Sequence, residues 1–169
     1  DKLDNITSSF INGNIPDGSQ DPYALRRQSL GIINIILDNQ LDFPLSDIIK
    51  YNMELLVRDS EHLEKKIIDS GNLNSEILDF ILQRFRHLLL EKGYKYDVID
   101  AVLAKKPKNI IDALLKIKVI QKIYNLPKFN KIITAATRTL NLSKNAIDST
   151  VEPSYFRETE EKTLYEQYT

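Results

Sequence analysis

Apolar residues recur along this chain every three or four positions, and nowhere do they alternate over a strand-length run. That period puts them on one face of a helix. The pattern therefore predicts an all-α, multi-helix bundle of about seven to nine helices. A first helix is expected over 1–12, ending near Gly13. A second covers 22–39, where Leu25, Leu30, Ile32, Ile33, Ile35, Ile36 and Leu37 are dense enough to predict a largely buried helix. A third starts after Ser46 as N-cap and continues into 61–68, with a break near Asp59 and Ser60; Gly71 marks a loop. The clearest helix spans 74–92, where Ile77, Ile81, Phe85 and Leu88 form a stripe widened by Leu78, Leu82 and Leu89. Gly93 then suits the left-handed position that ends a helix. A short helix over 96–104 is stopped by Pro107. Helices over 109–125 and 127–145 are separated at Leu126 and Pro127, and a last helix follows Pro153.

Composition agrees with helices: among 169 residues there are 5 glycines and 6 prolines. No run approaches the 18 apolar residues of a membrane span. The chain has no cysteine, which excludes disulfides, thiolate metal sites and cysteine nucleophiles. His62 and His87 are its two histidines, too few and too poorly spaced for zinc. It opens at Asp1 without a signal-peptide pattern and stops at Thr169, both inside apparent helices, so a fragment of a larger cytoplasmic protein is expected.

A net charge of −1 hides an asymmetry. Residues 1–104 carry 11 basic and 17 acidic side chains, and residues 145–169 carry 2 and 6. Between them, residues 105–144 carry 10 basic side chains against one acid, Asp112. The block comprises Lys105, Lys106, Lys108, Lys116, Lys118, Lys122, Lys128, Lys131, Arg138 and Lys144, and Arg84 and Arg86 extend it. Cations spaced along an accessible face bind phosphates by releasing condensed counterions. Tyr124 and Phe129 are either stacking platforms for unpaired bases or core residues. The competing reading of the block is a solvated lysine-rich surface.

Residues 16–27, P-D-G-S-Q-D-P-Y-A-L-R-R, read as a polar turn feeding a capped helix. Asp21 stands at the N-cap and Pro22 at the first helical position. Gly18 and Ser19 supply the turn. A helix start of this kind attracts anions, so the turn is either a phosphate cradle backed by Arg26 and Arg27, or a structural element in which one of these arginines pairs with Asp17 or Asp21. On the 74–92 helix, Arg84, His87 and Glu91 share a face, but no nucleophile stands beside them. Asp97 and Asp100 read as a helix cap and a surface acid rather than a catalytic pair. No catalytic residue and no metal ligand is assigned.

Four stretches resemble the β-subunit of bacterial heterotetrameric glycyl-tRNA synthetase, specifically a truncated C-terminal portion of it. They are residues 1–31, with D-K-L-D, the 16–27 run and S-L-G; F-I-L-Q-R-F-R at 80–86; Y-D-V-I-D-A-V-L-A at 96–104; and A-A-T-R-T-L-N at 135–141, followed by E-P-S-Y-F-R-E-T-E-E-K-T-L-Y at 152–165. The resemblance implies that 1–70 is the end of an HD-like domain with a following helical region. It implies that 71–169 leads into a truncated anticodon-binding-like domain. An HD-type metal would need residues upstream of Asp1, so no metal is expected here. The implied function is a non-catalytic, tRNA-binding part of a glycine–tRNA ligase, partnered by tRNA(Gly) and by the α-subunit in a heterotetramer of two α and two β chains. ATP, with magnesium, would be used on the α-subunit, and the fragment alone would be inactive. Arg84, Arg86, Lys105, Lys106, Lys108, Arg138 and Lys144 are the implied tRNA contacts. The alternative is a helical scaffold docking other β-subunit domains or the α-subunit.

Overall fold

Glycine and proline punctuate the chain at nearly the positions the periodicity predicts. The computed structural model describes residues 1–58, 71–144 and 151–168. The described residues form eight α-helices: α1 Lys2–Ile11, α2 Leu25–Asp38, α3 Leu45–Val57, α4 Leu73–Glu91, α5 Tyr96–Leu103, α6 Ile110–Ile123, α7 Pro127–Ser143 and α8 Thr159–Tyr168, with a 3-10 turn at Pro153–Tyr155. No strand is present among them. Gly13 and Gly93 end α1 and α4 at φ +73° and +82°, a region closed to most side chains. The expected break near Asp59 and Ser60 and the 61–68 extension lie outside the described residues.

Two helix starts differ from the sequence pattern. The second helix begins at Leu25, not at Pro22. Residues 21–24 form a β-turn closed by the Ala24 N–H on the Asp21 carbonyl at 3.0 Å, with Ala24 left-handed at φ +53°. Pro22 therefore occupies the second turn position, where its fixed φ also fits. Asp21 still caps the helix, but across the turn: its carboxylate accepts the Leu25 N–H at 2.7 Å and the Arg26 N–H at 3.0 Å. Ser46 is not an N-cap, because α3 has already begun at Leu45. The helix starts two residues earlier than expected, with Pro44 as N-cap, and the Leu45 N–H, which has no acceptor inside the helix, donates to the Lys108 carbonyl at 2.7 Å. Nor is α2 largely buried. Leu25, Ser29, Ile33, Ile36 and Leu37 face the core, while Ile35 is 48% exposed, so α2 is two-faced.

The chain divides into two compact units, 1–125 and 126–169. In the first, α4 is the hub: α1, α2, α3 and α5 all pack against it, α2 also meets α1 and α6, and α5 meets α6. Helices on both sides of position 70 thus share one core. Ile77, Ile81, Phe85 and Leu89 of α4 are completely buried, together with Ile6, Ile33, Ile49, Ile99 and Ile117 from its neighbours. Phe10 and Phe80 meet edge to face with centroids 5.2 Å apart. Asn52 of α3 donates to the Asp4 carboxylate of α1, and Asn74 donates to the Ser46 carbonyl at 3.0 Å. In the second unit, Glu161 caps α8 by accepting the Arg157 and Glu158 N–H groups at 2.8 and 3.0 Å. Phe156 packs edge to face on Tyr165, with centroids 5.4 Å apart.

Two substitutions probe this scheme. Phe85→Ala removes the largest fully buried side chain of the hub and should destabilise the protein by about 3–5 kcal/mol in chemical denaturation. A loss under about 1 kcal/mol would place Phe85 outside the core. Asp21→Ala strips two N–H groups of their acceptor and should cost about 1–2 kcal/mol.

Candidate functional site

The turn at the start of α2 is filled by its own residues. Asp21 occupies the N–H groups an anion would use. Arg26 folds back over the turn, donating to the Gly18 carbonyl at 2.9 Å and the Gln20 carbonyl at 3.4 Å. Its partners are thus backbone carbonyls, not the carboxylates of Asp17 or Asp21. Gly18 sits at φ +49°, a conformation only glycine adopts freely. The phosphate-cradle reading of 18–21 is therefore replaced by a structural turn.

A different basic site lies alongside it. Arg26, Arg27 and Leu30 of α2 face Arg84, His87, Leu88 and Glu91 of α4 across a cavity of about 440 Å³. The expected common face of Arg84, His87 and Glu91 forms one wall. The Arg84 Nε is buried and has no hydrogen-bond partner among the described residues. Desolvation first, then the charge of Arg26, lowers the Arg84 pKa from its ordinary value, and Asp21 partly offsets this. Sequence spacing placed Arg84 with His87 but gave no sign that Arg27 would stand opposite.

The remaining expected cations divide into engaged and free. Arg86 makes a two-pronged ion pair with Asp100, Nε to Oδ1 at 2.6 Å and Nη2 to Oδ2 at 2.9 Å. Asp100, expected to be a plain surface acid, is thus a bidentate partner joining α5 to α4. Lys106 donates to Asp79 at 2.6 Å and Lys116 to Asp112 at 2.7 Å. Lys106 is held left-handed at φ +46°. Lys105, Lys108, Lys118 and Lys122 are exposed and make no ion pair among the described residues. Lys105 and Lys108 precede α6, whereas Lys118 and Lys122 lie toward its end, so these four lysines of the basic block form two groups. Tyr124 packs on the core and donates to the Asp97 carboxylate, with Lys95 3.8 Å above its ring. Hydrogen bonding to Asp97 raises the pKa of the phenol, so it stays protonated. Asp97 is not the cap of α5 that the sequence suggests: the N-cap is Lys95, and Asp97 sits in the first turn, where its carboxylate accepts the Val98 N–H at 2.9 Å.

In the second unit, Lys128, Lys131 and Arg138 fall within about 80° of each other around α7. All three are exposed, as is Lys144 at the C-cap, which falls off that stripe. Phe129, Ile132, Ile133, Ala136 and Leu140 occupy a separate arc of about 100° that begins about 40° from Lys128. Ile132 is 63% and Leu140 65% exposed. No helix among the described residues is long and apolar enough to cross a membrane.

Fold and surface define an all-helical module whose prominent polar chemistry is basic. Residues 1–104 match the family of the glycyl-tRNA synthetase beta subunit. Similar proteins include the glycine–tRNA ligase beta subunits of Halothermothrix orenii, 40% identical over 172 residues, and Natranaerobius thermophilus, 37% identical over 168. Each alignment takes in 99% of this chain and 24% of the relative. The beta subunit of Halalkalibacterium halodurans is 35% identical over the same shares. The chain belongs to the glycyl-tRNA synthetase β-subunit family. It spans about a quarter of the length of these relatives. The truncated C-terminal portion that the resemblance implied is not borne out: the comparisons support the β-subunit family and a stretch covering 24% of each relative, with the family match confined to residues 1–104.

The Arg86 pair has a pH signature. Hydrogen bonding to Arg86 lowers the Asp100 pKa from its ordinary value. A carboxylate depressed in the folded state favours folding at neutral pH, and that contribution fades as acid protonates it. In a carboxyl-carbon NMR titration, Arg86→Gln should move the Asp100 midpoint upward, toward an ordinary aspartate. An unmoved midpoint would mean that the pair does not form in solution. Both side chains reach solvent, so raising salt should shrink the difference.

Proposed function

We propose that this chain is a non-catalytic, tRNA-handling part of the β-subunit, supporting attachment of glycine to tRNA(Gly) by the heterotetrameric enzyme in the cytoplasm. The observation that carries the reading is the basic block at 105–144, which retains free exposed lysines after internal ion pairing is accounted for. Lys105 and Lys108 are the foremost contacts in the first unit. Lys106, adjoining them, spends its charge on Asp79 and serves mainly to hold the loop. Arg138, with Lys128 and Lys131, forms a second line on α7, and Lys144 is a separate exposed cation at the C-cap of that helix. Lysine is a flexible point charge suited to phosphates, so these contacts position RNA rather than read its sequence. Arg84 and Arg86 remain candidates for RNA contact, Arg86 at the cost of its pair with Asp100. ATP, magnesium and glycine activation belong, in this reading, to the α-subunit.

A second reading has its own observation: the exposed apolar arc of α7, with Ile132, Ile133 and Leu140, suits a protein partner such as another β-subunit domain or the α-subunit. One experiment separates the two. In the intact synthetase, Lys105→Glu with Lys108→Glu should weaken tRNA binding and flatten its salt dependence. Each lost phosphate contact should lower the log–log slope by roughly 0.7–0.9. Glycine-dependent ATP–pyrophosphate exchange should be unchanged. A folded double variant with wild-type tRNA affinity and slope would leave the scaffold reading in front.

A further inference from the structure

The α2–α4 cavity joins features that folding alone does not explain. Three arginines, Arg26, Arg27 and Arg84, line one space of about 440 Å³. Like charges so gathered repel unless an anion lies between them. Two acids of the chain come near, Asp21, whose charge acts on Arg84, and Glu91. The Asp21 carboxylate is occupied by the Leu25 and Arg26 N–H groups. Glu91 lines the cavity, is exposed, and makes no ion pair. Counted against both acids, the three arginines keep a net excess of one positive charge. Arg84 also keeps a buried Nε donor without an acceptor, and a buried donor calls for an oxygen partner.

The division of labour among the arginines is visible. Arg26 is tied to the Gly18 and Gln20 carbonyls and braces the wall. Arg27 is exposed and unpaired among the described residues. Arg84 presents the rigid fork that matches phosphate oxygens. Leu30 and Leu88 supply apolar lining beside the charges, a surface against which a ribose packs.

We infer that the α2–α4 cavity is a binding site for a backbone phosphate of RNA, held by Arg27 and Arg84. The inference rests on the tRNA reading above and adds a site outside the basic block. Its test uses the intact synthetase, with tRNA(Gly) titrated over a salt series. Arg27→Gln and Arg84→Gln should each weaken tRNA binding by about tenfold. Each should lower the log–log salt slope by roughly 0.7–0.9. Arg84→Lys should keep the slope and still lose affinity, because charge remains while the Nε donor is gone. ATP–pyrophosphate exchange should stay at the wild-type rate. Arg27 is exposed, so its variant reports on the site even where Arg84→Gln lowers the melting temperature. Wild-type affinity and slope in folded Arg27→Gln would overturn the proposal. If the Lys105/Lys108 variant then still weakened tRNA binding, the cavity site alone would fall. If neither variant had an effect, the tRNA reading would fall with it. Loss of α–β assembly by sedimentation, with tRNA binding intact, would also overturn the proposal and assign the cavity to a partner's carboxylate.

Discussion

Burial of α4 is the constraint on which the first unit depends. Four helices pack around its nineteen residues, and Ile77, Ile81, Phe85 and Leu89 are sealed from water. A helix packed on so many sides keeps only narrow polar strips. Those strips carry Arg84 and His87 on the α2 side and Arg86 on the α5 side. The polar chemistry of the module is therefore arranged by an apolar requirement. Turning α4 to suit a cation would expose Phe85, and losing that burial outweighs any surface ion pair.

The allocation of cations follows from the same packing. Where a basic side chain lies at a helix–helix seam, the neighbouring helix supplies an acid. Asp100 of α5 meets Arg86, and Asp79 of α4 meets Lys106. Lys118 and Lys122, on the exposed side of α6, make no ion pair among the described residues. The α2–α4 seam departs from this pattern. Arginines stand on both sides, and Asp21, one of the two acids near them, is spent on capping a helix. Structural economy accounts for the Arg86 and Lys106 pairs; it does not account for the unmatched arginines.

Much of the fold was legible because helices are written locally. Gly13 and Gly93 ended helices where expected, Pro127 opened one, and the 77–81–85 stripe faced the core as read. The errors came where a long-range contact intervened. Ser46 lost the N-cap to Pro44, where the carbonyl of Lys108, more than sixty residues away, accepts the Leu45 N–H. Pro22 lost the first helical position because Asp21 made a stronger cap from across a turn. In α2, apolar density overstated burial: Ile35 is apolar yet 48% exposed, because no helix among the described residues covers that side.

By itself, the sequence determined the helical class, most helix boundaries, the absence of cysteine chemistry, the basic block and the family. All of these depend on residue type and short-range spacing. Tertiary structure decided which charges are free. An ion pair such as Lys106 with Asp79 joins positions 27 apart, and the Arg27–Arg84 cavity joins positions 57 apart. Hydrophobic periodicity orients each helix toward the core. It does not say which neighbour will cover it, so the partner of every seam-facing charge is settled only when the helices pack.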